Sequence, residues 1–442
     1  MRSAHKIFSG VCRLFIRHSS FVIRHPAAAL ATALITWHHA AAADWPQFLG
    51  PNRDGVADES EAAITTSFPS SGPKILWRAK LGTGFAGPAV ADGKVIVFHR
   101  TGDKAVVQAL DATTGKEVWS FSAVTDYTDS FGFDNGPRAT PTIAGGKVIV
   151  HGADGLVHAL DLKTGAKLWR YDTVKELKSP QGFFGRSCAP LVVGRNVIIT
   201  AGGSNDKGAA GVVALKLDDG TPAWQAVDDE ASYSSPIVRG DTLVCWLRNQ
   251  IVVCDSETGI IQFQQHHRSD MDASVNAATP IWCGADSLFT SACYGVGGSL
   301  WKMSVTRVPK HSPQVELKQV WTGEGSLDCH YGTPVYYDKH LYGFHGRQEQ
   351  GQTLRCILAA DGKLRWESPR VRGGGIIRVK DTLVLVTEDG ELWLVAASPD
   401  KFNQLAAAQI LRAGHRSFPA FANGILYARD GKELVAVDLR SR

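Results

Sequence analysis

The sequence predicts an all-β fold, an eight-bladed β-propeller of four-stranded antiparallel blades that is closed by pairing of its N- and C-terminal strands. Three observations predict it. An apolar strand followed by Asp-x-x-Thr-Gly and an aromatic residue recurs along the chain. Prolines recur at the 40–50-residue spacing that is typical of propeller repeats. The last repeat lacks a fourth strand, whereas an isolated strand lies near the N-terminus.

This repeat motif is clearest at residues 111–119 and 161–169, and weaker copies lie at 219–224, 255–263 and 361–366. Its glycine permits a positive φ in the turn, and its aspartate can accept hydrogen bonds from turn amides. The tryptophan supplies a large apolar surface for packing between sheets. We therefore assign these residues to the scaffold and not to catalysis.

Residues 139–171 show how one repeat folds. Short apolar runs at 139–143, 147–151, 156–160 and 167–171 predict four strands, and tight turns separate them. Asp154-Gly155 is typical of a two-residue hairpin turn. A single sheet of this kind cannot bury both of its faces, so it must stack on neighbouring sheets.

The number of blades follows from the proline that precedes each first strand. These prolines are Pro88, Pro141, Pro190, Pro236, Pro280, Pro334 and Pro419. The long interval before Pro419 contains an eighth, degenerate repeat that begins at Gly375. Residues 74–80 are expected to complete the last blade, which removes its open edge. Deletion of 74–80 should therefore damage the ring, whereas deletion of 44–60 should be mild.

Residues 1–43 predict a signal peptide, residues 44–73 a lead-in segment and residues 74–442 the propeller. The first 43 residues contain five basic residues, no acidic residue, an apolar run and small residues at 41–43. The run is too short to span a membrane, and no cysteine follows it to carry a lipid anchor. We expect a periplasmic or secreted protein, monomeric and without a membrane span. The remaining chain is slightly acidic, which excludes a basic surface for nucleic acid.

Seven cysteines follow residue 43, and no two of them are adjacent in sequence. Cys245 and Cys254 flank a predicted turn and would lie on paired strands. Both a disulfide and two packed thiols remain open for this pair, and packed thiols are favoured.

The repeat resembles that of pyrroloquinoline-quinone (PQQ) dehydrogenases, which also occurs in the quinone-free propeller subunit of the outer-membrane barrel-assembly machine. Residues 44–55, 136–141, 231–236 and 275–280 are similar to exported PQQ-like propellers of planctomycete-type and verrucomicrobial bacteria. The resemblance implies either a binding scaffold or an alcohol or sugar dehydrogenase that requires PQQ and Ca²⁺. The dehydrogenases characteristically carry an adjacent cysteine pair, which this sequence lacks. We favour the non-catalytic scaffold and keep the dehydrogenase as the alternative.

Two polar segments suggest other chemistry. The loop 126–135 contains several oxygen ligands that could hold a hard cation, although a solvated acidic connector is favoured. Residues 266–272 contain His266, His267 and two aspartates and could form a metal or proton-transfer site. Adjacent side chains of an extended strand point in opposite directions, so a polar loop is favoured there.

Large polar residues recur three or four positions before the first-strand prolines. They are Arg138, Arg186, Tyr233, Asn276, His330, Tyr331, His415 and Arg416. Because first strands line the channel of a propeller, these side chains should converge at one mouth of the axis, either as a ligand site or as a plug that links the blades. No acidic residue occupies a matching position. The three arginines therefore predict a small anionic ligand, with a protein partner as the other expected occupant.

Overall fold

The computed structural model describes residues 43–306, 313–414 and 416–441. Residues 1–42 lie outside this range, so the signal peptide remains a prediction. None of the helices within the described residues is both long and apolar enough to cross a membrane.

The described chain forms eight four-stranded antiparallel sheets, which confirms the predicted propeller. Within each of blades 1 to 7 the strands pair in sequence order. Blade 1 contains Ala89–Ala91, Lys94–Thr101, Lys104–Asp111 and Glu117–Val124; blade 2 contains Thr142–Ala144, Lys147–His151, Leu156–Asp161 and Lys167–Asp172. Blade 3 contains Leu191–Val193, Asn196–Thr200, Val212–Lys216 and Pro222–Ala226; blade 4 contains Ile237–Arg239, Thr242–Trp246, Gln250–Asp255 and Ile261–His266.

The second half of the ring repeats this plan. Blade 5 contains Ile281–Trp282, Ser287–Ala292, Gly297–Thr306 and Gln314–Gly323; blade 6 contains Val335–Tyr337, His340–His345, Gln352–Leu358 and Leu364–Val371; blade 7 contains Gly374–Val379, Thr382–Thr387, Glu391–Ala396 and Gln404–Gln409. The minor elements are the helix Thr173–Leu177, the hairpin Ser204–Asn205 with Gly208–Ala209, and the 3₁₀ turn Gln348–Gln350.

Blade 8 closes the ring with strands from both ends of the propeller. It contains Ala420–Ala422, Ile425–Arg429 and Glu433–Asp438, and its fourth strand is Lys74–Lys80. This latch strand runs antiparallel to Glu433–Asp438, with Lys74 opposite Asp438 and Lys80 opposite Glu433. The predicted closure is confirmed.

The glycine and tryptophan residues of the repeat motif join one blade to the next. The Trp119 ring covers Gly165 of the following blade so closely that a Cβ on this glycine would lie 2.5 Å from the ring. The Trp119 Nε1 donates a hydrogen bond to Leu162 O at 3.0 Å. The same packing occurs at Trp77 on Gly115, Trp169 on Gly220, Trp224 on Gly259 and Trp321 on Gly362. Glycine is required in these turns both for its positive φ and for the space that the tryptophan occupies.

A second set of contacts joins the blades around the axis. The residue before a first-strand proline often carries a hydroxyl group. This hydroxyl accepts a hydrogen bond from a backbone N–H group of the neighbouring blade. Examples are Gly87 N to Thr140 Oγ1, Ala189 N to Ser235 Oγ, Ser235 N to Thr279 Oγ1 and Thr279 N to Thr333 Oγ1. These bonds hold the inner strands, and hence the residues that precede them, in fixed positions around the channel.

Residues 45–57, here called the plug, lie across one end of the channel. They contact the inner strands of blades 1, 2 and 7 and the residues just before the inner strand of blade 3. The hydrogen bonds are Trp45 N to Val90 O, Ile143 N to Pro46 O, Arg53 to Ala189 O and Pro190 O, and Ala57 N to Arg378 O. Trp45 and Arg53 are 1% and 2% exposed. This burial argues against the expectation that deletion of residues 44–60 would be mild.

Candidate ligand-binding site

The other end of the channel contains a cavity of about 410 Å³. Its walls come from the loops that connect the blades, because these loops meet where the first strands begin. Its floor includes Phe48 of the plug and Phe418 of blade 8, whose ring centroids are 4.9 Å apart in an edge-to-face arrangement. The plug therefore turns the axial channel into a blind cavity.

Aromatic side chains from the first three blade connections form one wall of this cavity. The ring centroids of Phe131 and Phe184 are 5.2 Å apart, and those of Phe184 and Tyr233 are 5.4 Å apart. The Tyr233 hydroxyl accepts hydrogen bonds from the backbone N–H groups of Phe183 and Phe184, at 2.7 and 3.1 Å. Phe131 and Phe133 are 56% and 49% exposed at the rim. The wall thus offers flat apolar faces that are held by a fixed hydrogen-bonding group.

Arg138 lies in the cavity wall against a buried carboxylate. Asp129 accepts hydrogen bonds from the N–H groups of Phe131, Phe133 and Asp134, and one of its oxygens lies 3.0 Å from Arg138 Nη2. The Asp129 side chain is fully buried. The loop 126–135 is therefore organised around a carboxylate with satisfied oxygens, and its interpretation as a solvated connector is wrong at Asp129.

Arg416 lies in the cavity wall against a second buried carboxylate. Glu388 accepts hydrogen bonds from Arg416 Nε at 2.8 Å, from Arg372 Nη2 at 3.0 Å and from the Tyr331 hydroxyl at 2.5 Å. Burial and the neighbouring Glu388 raise the pKa of Tyr331 well above its ordinary value. Tyr331 therefore remains a protonated hydrogen-bond donor to Glu388.

These contacts correct the charge balance inferred from the sequence. Arg138 and Arg416 do have balancing carboxylates, because Asp129 and Glu388 reach them from positions that the repeat spacing does not show. Arg186 does not line the cavity; it is 7% exposed and donates hydrogen bonds to Ser179. The three predicted arginines therefore do not share one volume as unpaired charges.

The remaining predicted residues divide between the cavity and the scaffold. Tyr233, His330 and Tyr331 line the cavity together with Arg138 and Arg416. Asn276 does not; it is 2% exposed, and its Nδ2 donates to the carbonyl oxygens of Leu247 and Arg248. His415 lies outside the described residues. The alternative interpretation, that these polar residues link the blades, thus describes Asn276 and Arg186, whose hydrogen bonds serve the packing of the propeller.

A hydrogen-bonded group from blades 5 and 6 forms another part of the wall. His330 Nε2 lies 2.6 Å from the Tyr294 hydroxyl, and its Nδ1 contacts Gln348 Oε1. Burial lowers the pKa of His330, so its imidazole is neutral. In the tautomer that satisfies both contacts, Nδ1–H donates to Gln348 and Nε2 accepts from Tyr294. Arg347 lies over the Tyr294 ring, 4.9 Å from its centroid.

The comparisons with known proteins place this architecture in a family. A family profile described as outer membrane protein assembly factor BamB matches residues 66–292, which is half of the chain. The chain belongs to this BamB family. No curated protein sequence matches it.

Solved structures share the fold of this BamB-family chain. BamB from Moraxella catarrhalis has a TM-score of 0.60 and 15% identity, with 84% of this chain and 98% of that chain covered. Quinohemoprotein alcohol dehydrogenase from Comamonas testosteroni has a TM-score of 0.62 and 15% identity, with 90% and 81% covered. Quinohemoprotein alcohol dehydrogenase ADHIIG from Pseudomonas putida HK5 has a TM-score of 0.63 and 14% identity, with 90% and 80% covered. At these identities the likeness shows the fold alone.

The cavity of this BamB-family propeller does not fit the calcium ion that a PQQ dehydrogenase requires. Ca²⁺ takes six to eight oxygen ligands. The buried carboxylates behind the wall, Asp129 and Glu388, already accept hydrogen bonds from amide, guanidinium and hydroxyl groups. The carboxylate that lines the cavity, Glu349, is paired with Arg347. Within residues 43–306, 313–414 and 416–441, no group of three or more His, Cys, Asp or Glu side chains is placed to hold a metal ion. We derive no quinone-dependent step for this site.

The cysteines and His267 of the segment 266–272 belong to the scaffold of the blades. All seven cysteines of the described chain are free and buried. Cys245 lies opposite Val252 and not opposite Cys254. His267 stacks on Trp246 at 5.0 Å, and its Nε2 lies 3.0 Å from Thr290 Oγ1. Burial lowers the pKa of His267 to about 4, so it is a neutral packing residue.

Several cavity residues were missed at the sequence level, namely Phe48, Phe131, Phe133, Phe183, Phe184, Tyr294 and Arg347. Tyr294 and Arg347 lie in the hairpin loops after the second strands of blades 5 and 6. These loops reach the same face as the blade connections, which is a signal that the repeat alignment could have supplied. Phe48 has no such signal, because its position depends on the path of the plug.

Proposed function

We propose that this chain is an exported, non-catalytic propeller of the BamB family that holds a small ligand in its axial cavity. The observation that carries the proposal is the blind cavity of about 410 Å³ with an aromatic wall and a few polar groups. Ligand sites generally have this form, a concave apolar surface with a small number of fixed polar groups.

The hydrogen bonds at the wall support binding more than catalysis. Tyr233 is held by two backbone N–H groups, and Tyr331 donates to Glu388. Asp129 accepts hydrogen bonds from three backbone N–H groups of its own loop and from Arg138. A general base needs a basic atom within reach of the substrate. These oxygens instead keep the aromatic walls in position.

The nature of the wall favours a ligand with a flat apolar ring. The expected small anion loses its support from Arg138 and Arg416, because both are paired with buried carboxylates. To bind at either of these two arginines, an inorganic anion would have to displace the paired carboxylate and leave it buried without a partner, which is costly. A ring can bind the aromatic faces without breaking either pair.

Calorimetric titration with 2-naphthol, a neutral flat ring, tests the proposal. We expect saturable binding to the wild type and loss of binding in Ala277→Phe, because Ala277 lines the cavity and a phenyl group there would fill it. Ala62→Phe is the matched control, since Ala62 is exposed on the N-terminal segment. Equal binding by wild type and Ala277→Phe, with unchanged melting temperatures, would refute a site in the axial cavity.

The dehydrogenase alternative retains one supporting feature, an aromatic wall that suits a flat quinone. It is tested by absorbance titration with PQQ in the presence and absence of CaCl₂, followed by an alcohol-dependent dye-reduction assay. Calcium-dependent binding of PQQ with dye reduction would replace the non-catalytic proposal. Binding without calcium would identify PQQ as one more flat-ringed ligand.

A protein partner is the second candidate occupant, and the exposed rim favours it. Phe131, Phe133 and Met271 are 56%, 49% and 52% exposed at the edge of the cavity. Exposed apolar patches that are rimmed by polar residues are typical of interaction sites. A protein that cross-links to the wild type in an envelope extract should not cross-link to the double variant Phe131→Ser/Phe133→Ser. A cross-linked protein that the double variant retains would argue against this surface.

A further inference from the structure

Arg347 differs from the other two arginines of the cavity wall in the burial of its carboxylate partner. Arg138 and Arg416 are paired with carboxylates that are fully or almost fully buried. Arg347 Nε lies 3.4 Å from Glu349 Oε2, and the side chains of this pair are 37% and 47% exposed. The Arg347 Nε is itself buried and has no hydrogen-bond acceptor among the described residues. An exposed ion pair of this kind contributes little and is easily exchanged for another anion.

Tyr294 holds the Arg347 guanidinium in place. The two groups are 4.9 Å apart, within cation–π range. The backbone of Tyr294 has a φ of 67°, a conformation that is a true outlier for a bulky residue. Such a conformation is strained and tends to occur at functional sites. The hydrogen bonds from Tyr294 to His330 and from His330 to Gln348 fix the ring in spite of this strain.

The position of this group relative to the aromatic wall points to one class of ligand. Arg347, Tyr294 and Glu349 line the same cavity as Phe131, Phe184 and Tyr233. A ligand with its ring on the aromatic wall can place an attached acidic group near Arg347. Guanidinium groups bind carboxylates through two parallel hydrogen bonds, a geometry that Glu349 does not achieve here.

We propose that the cavity selects a flat ring that bears a carboxylate, with the carboxylate on Arg347 in place of Glu349. The inference rests on the proposed function, since it specifies the ligand of the same cavity. Arg347 is the recognition residue, Tyr294 and His330 are positioning residues, and Glu349 occupies the carboxylate position when no ligand is bound.

Parallel calorimetric titrations of the full-length protein with 2-naphthoate and 2-naphthol at neutral pH test this assignment. Wild type should bind the carboxylate at least about 10-fold more tightly, the effect expected of a charge-assisted hydrogen bond. Arg347→Gln should remove this preference, so that the two probes bind with similar affinity. Glu349→Gln should strengthen 2-naphthoate binding, because the competing carboxylate is gone. Arg195→Gln is the matched control for net charge, since Arg195 is an exposed arginine of blade 3.

The outcomes separate this inference from the proposed function. Equal affinity of wild type for both probes overturns the carboxylate assignment and leaves the cavity proposal intact, whereas binding of neither probe overturns both. If Arg347→Gln does not fold, Glu349→Gln and Tyr294→Phe decide the matter. Tyr294→Phe keeps the ring but frees it from His330, so it should weaken 2-naphthoate binding and reduce the preference over 2-naphthol. Unchanged 2-naphthoate affinity in both of these variants overturns the proposal.

Discussion

The two ends of the axial channel use polar residues in opposite ways. At the plug end, the buried guanidinium of Arg53 is bonded to carbonyl oxygens and a glutamine, and it pairs with no carboxylate of the described chain. At the mouth end, arginines are paired with Asp129 and Glu388 around a cavity with exposed aromatic groups. The plug end is therefore built for closure, whereas the mouth end keeps a preformed space. Changes at the plug should alter stability, and changes at the mouth should alter binding.

The largest effect should come from the latch strand, which both ends of the channel require. Deletion of residues 74–80 exposes the edge of Glu433–Asp438 and removes Trp77 from its packing on Gly115. An open edge of this length is a template for aggregation. We expect the deleted protein to aggregate or to lose several kcal/mol of unfolding free energy. A soluble deletion variant with an unchanged melting temperature would contradict the closure that the register shows.

A matched pair of aromatic substitutions tests the contrast between the two ends. Trp45→Ala in the plug should cost about 3–5 kcal/mol, because a fully buried indole is removed. Phe133→Ala at the rim should cost less than about 1 kcal/mol, because about half of its side chain is already exposed. Denaturant unfolding of the two variants measures the difference. Similar losses in both would mean that the plug is not the more tightly packed end.

Acid should weaken the closed scaffold through its buried histidines. Burial lowers the pKa of His151, in blade 2, to about 4, and that of His158 and His99 also to about 4. In the unfolded chain these groups titrate near pH 6.5, so below that pH the unfolded state binds more protons than the folded state. Their stabilising effect is complete above about pH 6.5 and is lost as the pH falls towards 4. The melting temperature should therefore drop over this interval.

Substitution of one of these histidines identifies the cause of the acid effect. His151→Gln should melt lower than wild type at neutral pH but should lose less of its melting temperature between neutral pH and about pH 4.5. His266→Gln, at an exposed position of blade 4, serves as the control and should follow wild type. If His151→Gln and wild type lose the same amount, His151 does not contribute to the pH dependence.

The fold was predictable because its signals are local, whereas the chemistry of the channel was not. Gly115 and Gly165 mark turns within a few residues of the strands that they connect, and prolines mark the start of seven of the eight inner strands. The partners of Arg138 and Arg416 depend on loop paths: Asp129 approaches from nine residues away and Glu388 from 28. The plug has no strand periodicity, so its contacts with four blades follow only from the folded ring.

The smallest effect should come from removing the charge at the closed end. Burial lowers the pKa of Arg53 to about 10, so the guanidinium is still charged at neutral pH. Its desolvation is costly, and its Nε has no acceptor in the part of the chain that the structure describes. Arg53→Met keeps the length of the side chain and removes that cost, but it leaves Ala189 O without the Arg53 donor. These effects oppose each other, so we expect a change within about 1 kcal/mol. A loss comparable to that of Trp45→Ala would show that the guanidinium itself, and not apolar packing, holds the plug in the channel.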